Sequence, residues 1–180
     1  MPVAVILGFG NAVGAGILKS FVDAGFSVAI AARTLSKLEA VAGMSLCVPA
    51  VPEVLQDFFS NFLRAAEYAA VGATVRGFSI DLSAPETVAG VLGDIAAALG
   101  PIDVVVYNAT TPRLDPSASL AELQAAVNVN ITSVHVAFYT MLPLWKAAGK
   151  GTFLLTGGGF ANNCAWSAAW GMQFGSPTKA

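Results

Sequence analysis

A chain of 180 residues, 56% hydrophobic and 11% charged, has the length and apolar content for one domain around a large buried core. Its net charge of −2 leaves no basic surface to attract nucleic acid, and no stretch reaches the roughly 18 uninterrupted apolar residues of a membrane span. Cys47 and Cys164 lie far apart and His135 is the single histidine, so no structural zinc or other metal site is expected and two lone thiols suit a reducing cytosol.

The apolar run Val3–Leu7 predicts a first strand. It enters a loop carrying Gly8, Gly10, Asn11, Gly14 and Gly16, and a helical pattern follows over Val13–Ala24. Strand, glycine loop and helix is the order a dinucleotide-binding crossover needs. Missing side chains let a pyrophosphate approach the main chain, and the helix start offers it unpaired amides. The same glycines also suit a tight turn with a closely packed helix. The run lacks charge from residue 2 to 18, but no basic residue precedes it and glycines interrupt it. A cytoplasmic chain is therefore expected rather than a secreted one.

Further strands are predicted at Ser27–Ala31, Thr74–Ile80, Asp103–Tyr107 and Thr152–Thr156. Helices are predicted at about Leu35–Ala42, Pro85–Leu99 and Leu120–Ala148, the last kinked at Pro143. Ser83 with Glu86, and Ser119 with Glu122, have the spacing of capping boxes. Alternating strands and helices imply an α/β fold, a doubly wound, five-stranded parallel sheet in order 3-2-1-4-5 between two helical layers, as one domain over 1–180. The connection from Ala31 to Thr74 exceeds what one helix needs. Its surplus, about 43–70, carries Val54, Leu55, Phe58, Phe59, Phe62 and Leu63 at helical spacing after Pro52. An extra amphipathic helix on the sheet's flank, a partner-binding helix and a poorly ordered insertion all fit it.

Ala31-Ala32-Arg33-Thr34 ends the second strand with no acid between Asp23 and Glu39. A carboxylate there would bind ribose hydroxyls, whereas the Arg33 fork suits a 2′-phosphate, so NADP(H) is expected over NAD(H). Arg33 capping a surface turn is the alternative. Asp81-Leu82 follows the third strand at the sheet's carboxyl edge, where ligands of open α/β sheets bind, although Asp81 and Ser83 also make good helix caps. Tyr107-Asn108-Ala109-Thr110 closes the fourth strand in a polar corner. On the helix from Leu120, Leu123, Val127, Val134, Ala137 and Met141 form one apolar stripe, and Asn130 falls within it. A buried amide without partners costs roughly 1–3 kcal/mol, so Asn130 has either a specific task or a packing role. His135 shares a different stripe with Asn128, Thr132 and Tyr139, as a solvated or interface residue would.

Taken together, the Gly10-xxx-Gly14-x-Gly16 loop, Asp81, Asn108-Ala109 and Val129-Asn130 resemble the short-chain dehydrogenases/reductases. Phe9 stands where those proteins often carry threonine, and Tyr107 and Thr110 depart from their Asn-Asn-Ala-Gly segment. The resemblance implies that Asp81 accepts a hydrogen bond from an adenine amino group and that Asn108 and Ala109 line the adenine ribose side. It further implies that Asn130 holds a water in a proton relay and that Lys179 binds the nicotinamide ribose. The family's serine after strand five and its Tyr-xxx-Lys tyrosine are replaced here: Thr156 leads into Gly157-Gly158-Gly159, and Gly175 lies four residues before Lys179. The chain stops one residue past Lys179, whereas the resembled fold continues, so strand five is expected as an open edge that favours homo-oligomers.

Three readings follow. The first is an NADPH-dependent oxidoreductase interconverting a small carbonyl compound and its alcohol, with a hydroxyl from Thr156 or Ser176, or water, replacing the missing acid. The second is a dinucleotide-binding protein without turnover. The third is a truncated family member that needs a partner.

Overall fold

The computed structural model describes residues 1–10, 13–34, 74–111 and 117–157. In chain order these form β1 (Val3–Leu7), α1 (Val13–Asp23), β2 (Ser27–Ala32), β3 (Val75–Ser79), a 3-10 turn (Pro85–Thr87), α2 (Val88–Leu99) and β4 (Ile102–Tyr107). Then come α3 (Leu120–Val127), a π turn (Asn128–Thr132), α4 (Ser133–Ala148) and β5 (Thr152–Leu155). The strands pair in parallel in the order β3-β2-β1-β4-β5, as the alternation of patterns predicts. The predicted helix at 35–42, the 43–70 segment and everything from residue 158 onward, with Cys47, Cys164, Gly175 and Lys179, lie outside the described residues.

Strand periodicity sorts the core into two layers. Val3, Val5 and Leu7 point to the face covered by Val88, Leu92 and Ile95 of α2 and by Ala137, Met141 and Trp145 of α4. Ile6, with Val28 and Ile30 of β2, points to the other face, where Leu18 and Val22 of α1 pack. Covered on both sides, β1 and β2 must be continuously apolar, which is why their runs lack alternation. At one edge, Leu154 and Leu155 of β5 are 45% and 37% exposed among the described residues.

Two predicted details differ. The box at Ser83 does not form: Ala84 is the residue before the 3-10 turn, and the Ser83 amide and hydroxyl both donate to Asp81 Oδ1, at 3.0 and 2.8 Å. An aspartate two residues ahead competes for the same donors. The box at Ser119 and Glu122 does form. The long helix is interrupted at the π turn, and Pro143 lies inside α4. The buried stripe runs Ala126, Asn130, Ser133, Ala137, Met141 and Trp145, with Leu123, Val127 and Val134 partly buried and Val134 packed against the core.

At the opposite edge of the sheet from the strand ends, the β1–β4 register slips between Val3 and Ala4, making Asp103 an extra residue. Its carboxylate accepts the buried Val3 amide at 2.9 Å and the Lys150 ammonium at 2.6 Å. Lys150 holds the Asp103 carboxyl below the usual range, the Val3 amide adds to this, and partial burial opposes it. Asp103→Ala should cost about 1–3 kcal/mol by orphaning the Val3 amide. Lys150→Ala should cost no more than about 1 kcal/mol, because that side chain is 72% exposed. A carboxyl depressed in the folded state stabilises above its unfolded pKa of about 3.9 and loses that contribution as pH falls through the folded value. Urea unfolding at pH 7 and pH 3 should therefore show a smaller difference for Asp103→Ala than for the parent; equal differences would refute the assignment.

Candidate functional site

The carboxyl ends of β1, β2, β3 and β4 surround a cavity of about 560 Å³. Strand order reverses between β1 and β4, the switch point where ligands of open α/β sheets sit. Of the residues singled out in the sequence, Gly8, Gly10, Arg33, Thr34, Asp81, Leu82, Asn108 and Ala109 line this one cavity. Gly14 and Gly16 do not. Gly14 is buried on α1 against the Phe9 ring, and Gly16 faces a groove between α1 and β5. Asn11 and Lys179 lie outside the described residues.

The two loop glycines have different tasks. Gly8 has φ of +80°, and a Cβ there would meet Ala109 Cβ at 2.4 Å and the Ala109 backbone at 2.5 Å. Its close approach joins the β1 and β4 exits and is a packing requirement. Nothing described lies within 4 Å of a Cβ at Gly10, so that position faces open space. The Gly8 and Phe9 amides donate to the Ala31 carbonyl at 2.9 and 3.0 Å, fixing the loop over β2.

Asn108 laces the strand ends together. Its amide nitrogen donates to the Gly8 carbonyl at 3.1 Å, while its Oδ1 accepts the Thr156 hydroxyl at 3.0 Å. The exposed Thr156 hydroxyl also has the Tyr107 carbonyl within 3.4 Å, so it has two acceptors at the strand ends. On the β3 side, the Ser83 amide and hydroxyl hold the Asp81 carboxyl below its ordinary value against partial burial, and Arg33 adds a smaller pull. The cavity rim therefore carries a lasting negative charge at Asp81 beside the positive charge of Arg33.

Asn130 is buried, as the stripe predicts, and both ends of its amide are engaged with Thr111. Nδ2 donates to Thr111 Oγ1 at 2.7 Å and Oδ1 accepts the Thr111 amide at 3.2 Å. Thr111 lines the cavity, so Asn130 acts on it from behind. Thr111 and Ser83 also line the cavity; Ser83 reads in the sequence only as a helix cap, and Thr111 carries no local signal. Beneath them, the buried Tyr107 phenol donates to the Val129 carbonyl, and burial pushes its pKa up against a small opposing effect of Ser133. Among the described residues no group of His, Cys, Asp or Glu could hold a metal, and no helix is long and apolar enough to cross a membrane.

The chain resembles an uncharacterized oxidoreductase of Mycobacterium tuberculosis, 33% identical over 144 residues, which are 79% of this chain and 46% of that protein. The chain thus spans about half the length of that relative. Its fold matches an alcohol dehydrogenase from the archaeon Thermococcus sibiricus complexed with 5-hydroxy-NADP, at a TM-score of 0.68 and 24% identity, covering 91% of this chain and 60% of that one. It also matches a metagenomic short-chain oxidoreductase in complex with NADP, at a TM-score of 0.71 and 24% identity, covering 95% and 71%. The family model for short chain dehydrogenases matches residues 61–167. With a Rossmann-like sheet, a cavity at its switch point and that match over more than half its length, the chain belongs to the short-chain dehydrogenase family.

Proposed function

We propose that this cavity binds a nicotinamide dinucleotide, with NADP(H) preferred over NAD(H). The observation that carries the reading is the convergence of Gly8, Gly10, Arg33, Asp81, Asn108 and Ala109, drawn from four strand ends, on one cavity. A volume of about 560 Å³ suits a small-molecule ligand. The open space at Gly10 admits a phosphate close to the main chain, at the start of the helix that carries Gly14 and Gly16; Asn11 belongs to the same loop in sequence. Arg33 and Thr34 receive a 2′-phosphate, Asp81 and Leu82 the adenine ring, and Asn108 and Ala109 the adjacent ribose. The NADP complexes of the two solved relatives support this reading.

When bound, the dinucleotide supplies hydride for interconverting a small carbonyl compound and its alcohol. Asn130 holds the Thr111 wall, and Lys179 is the residue for the nicotinamide ribose. The hydroxyls expected to deliver the proton are replaced by glycine at 157–159 and at Gly175, and the Thr156 hydroxyl is engaged with Asn108. This favours a chain that binds the dinucleotide and turns it over at a strongly depressed rate or not at all; the net charge of −2 favours no nucleic-acid partner.

Titrating the full chain with NADPH while following tryptophan fluorescence tests the assignment. Saturable quenching is expected; its absence would sink the reading. Arg33→Ala should weaken NADPH by about 1.5–3 kcal/mol, the range for a hydrogen bond to a charged group, and leave NADH nearly unchanged. Equal losses for both would refute the 2′-phosphate role.

A further inference from the structure

A π turn leaves one helical residue out of register and is frequent at functional sites. Around it three polar side chains, Asn128 and Asn130 of the turn and Ser133 just after it, reach two distant loops. The Asn128 amide nitrogen donates to the Ser83 carbonyl at 2.8 Å. The Ser133 hydroxyl, fully buried, donates to the Leu82 carbonyl at 2.7 Å. Asn130 takes both polar groups of Thr111. The first two bonds reach the loop that carries Asp81, and the third reaches the loop after β4.

Those two loops are opposite walls of the cavity, and Val129 of the turn lines it between them. Leu82 anchors the Asp81 loop in the core, whereas among the described residues the crest at Asp81 and Ser83 is held largely from within. Asp81 and Ser83 bond chiefly to each other, and Ala84 closes the bend by donating to the Asp81 carbonyl at 3.0 Å. An asparagine amide is well matched to holding such a loop from a helix. It donates to the carbonyl through Nδ2 while its Oδ1 accepts the Gln124 side-chain amide at 3.1 Å, which fixes its rotamer.

We propose that the turn Asn128–Thr132 clamps the two walls of the dinucleotide cavity, with Asn128 as a positioning residue for the loop bearing Asp81. This rests on the cofactor reading above and adds a residue that does not touch the ligand. A ligand that contacts the Asp81 loop meets a preformed wall instead of ordering it on binding, so loss of the clamp appears as lost affinity. Ser133 keeps its own bond to Leu82 when Asn128 is changed, so the fold survives.

The test compares Asn128→Ala and Asn128→Asp with the parent in the full chain. The aspartate keeps the size of asparagine but cannot donate when ionised. Both variants should bind NADPH and the fragment 2′,5′-ADP about fivefold more weakly, the worth of one net hydrogen bond, while the thermal midpoint moves by less than about 2 °C. Without ligand, the Ala84 amide should exchange with solvent about fivefold faster in both, and the β1 amides should not change. If Asn128→Ala does not fold, Asn128→Asp carries the comparison. Parent-like affinity and exchange in Asn128→Asp would overturn the clamp, as would a loss of affinity matched by a general loss of stability. Failure of the parent to bind NADPH would instead overturn the cofactor reading, while the exchange measurement still reports the clamp.

Discussion

Gly8→Ala should destabilise the domain by about 2–5 kcal/mol, combining the strain of a left-handed backbone with forced overpacking. The residue has φ of +80°, and an added methyl would overlap both the side chain and the backbone of Ala109. Relief would need β1 and β4 to separate at their carboxyl ends. That would stretch the Asn108 amide from the Leu7 carbonyl, now at 2.8 Å, and its side chain from the Gly8 carbonyl. Gly10→Ala is the control, because no described atom lies within 4 Å of the new methyl. Its cost should stay near or below about 1 kcal/mol, while NADPH binding weakens because the methyl enters the space assigned to phosphate. Urea unfolding of the three proteins decides the matter. Equal midpoints for Gly8→Ala and Gly10→Ala would contradict the close approach described here.

Reductase turnover by this chain should be depressed by the 10²–10⁴-fold that a positioned proton donor contributes. Glycines occupy the positions where the resemblance implies a serine and a tyrosine, and the Thr156 hydroxyl that precedes them donates to Asn108 Oδ1. The buried Tyr107 phenol offers no substitute. Burial raises its pKa, it points at the Val129 carbonyl, and it lies inside the sheet. NADPH oxidation followed at 340 nm with small aldehydes and ketones should stay far below about 1 per second, while binding remains measurable. Rates at or above that value would show that proton delivery takes another route and would place the chain among ordinary reductases. Asn130→Ala would then locate the route: lost turnover with unchanged NADPH affinity would place Thr111 and Asn130 on it.

The sequence by itself determined the strands and their order. Apolar runs of strand length with helical patterns between them leave right-handed crossovers into a doubly covered sheet as the solution, and β1, β2 and β4 end within a residue of their predicted positions. It also pointed to the strand ends that line the cavity, because ligands of such sheets sit at the carboxyl edge, where Arg33, Asp81 and Asn108 follow their strands directly. The tertiary structure decided how those ends meet. Gly8 and Gly10 read alike in a row of letters, yet Ala109, a hundred residues on, makes one a packing necessity and leaves the other open. The helix pattern assigned Leu123, Val127 and Val134 to one apolar stripe, but the buried residues beside Asn130, Ala137 and Met141 are Ala126, Ser133 and Trp145, with Val134 packed at the edge of that core. Asn128 looked like part of a solvated stripe until the Ser83 carbonyl came within 2.8 Å of it across 45 residues. Periodicity records what each residue does for its own element. Contacts between distant loops form only after the sheet has brought them together, and no local pattern encodes them.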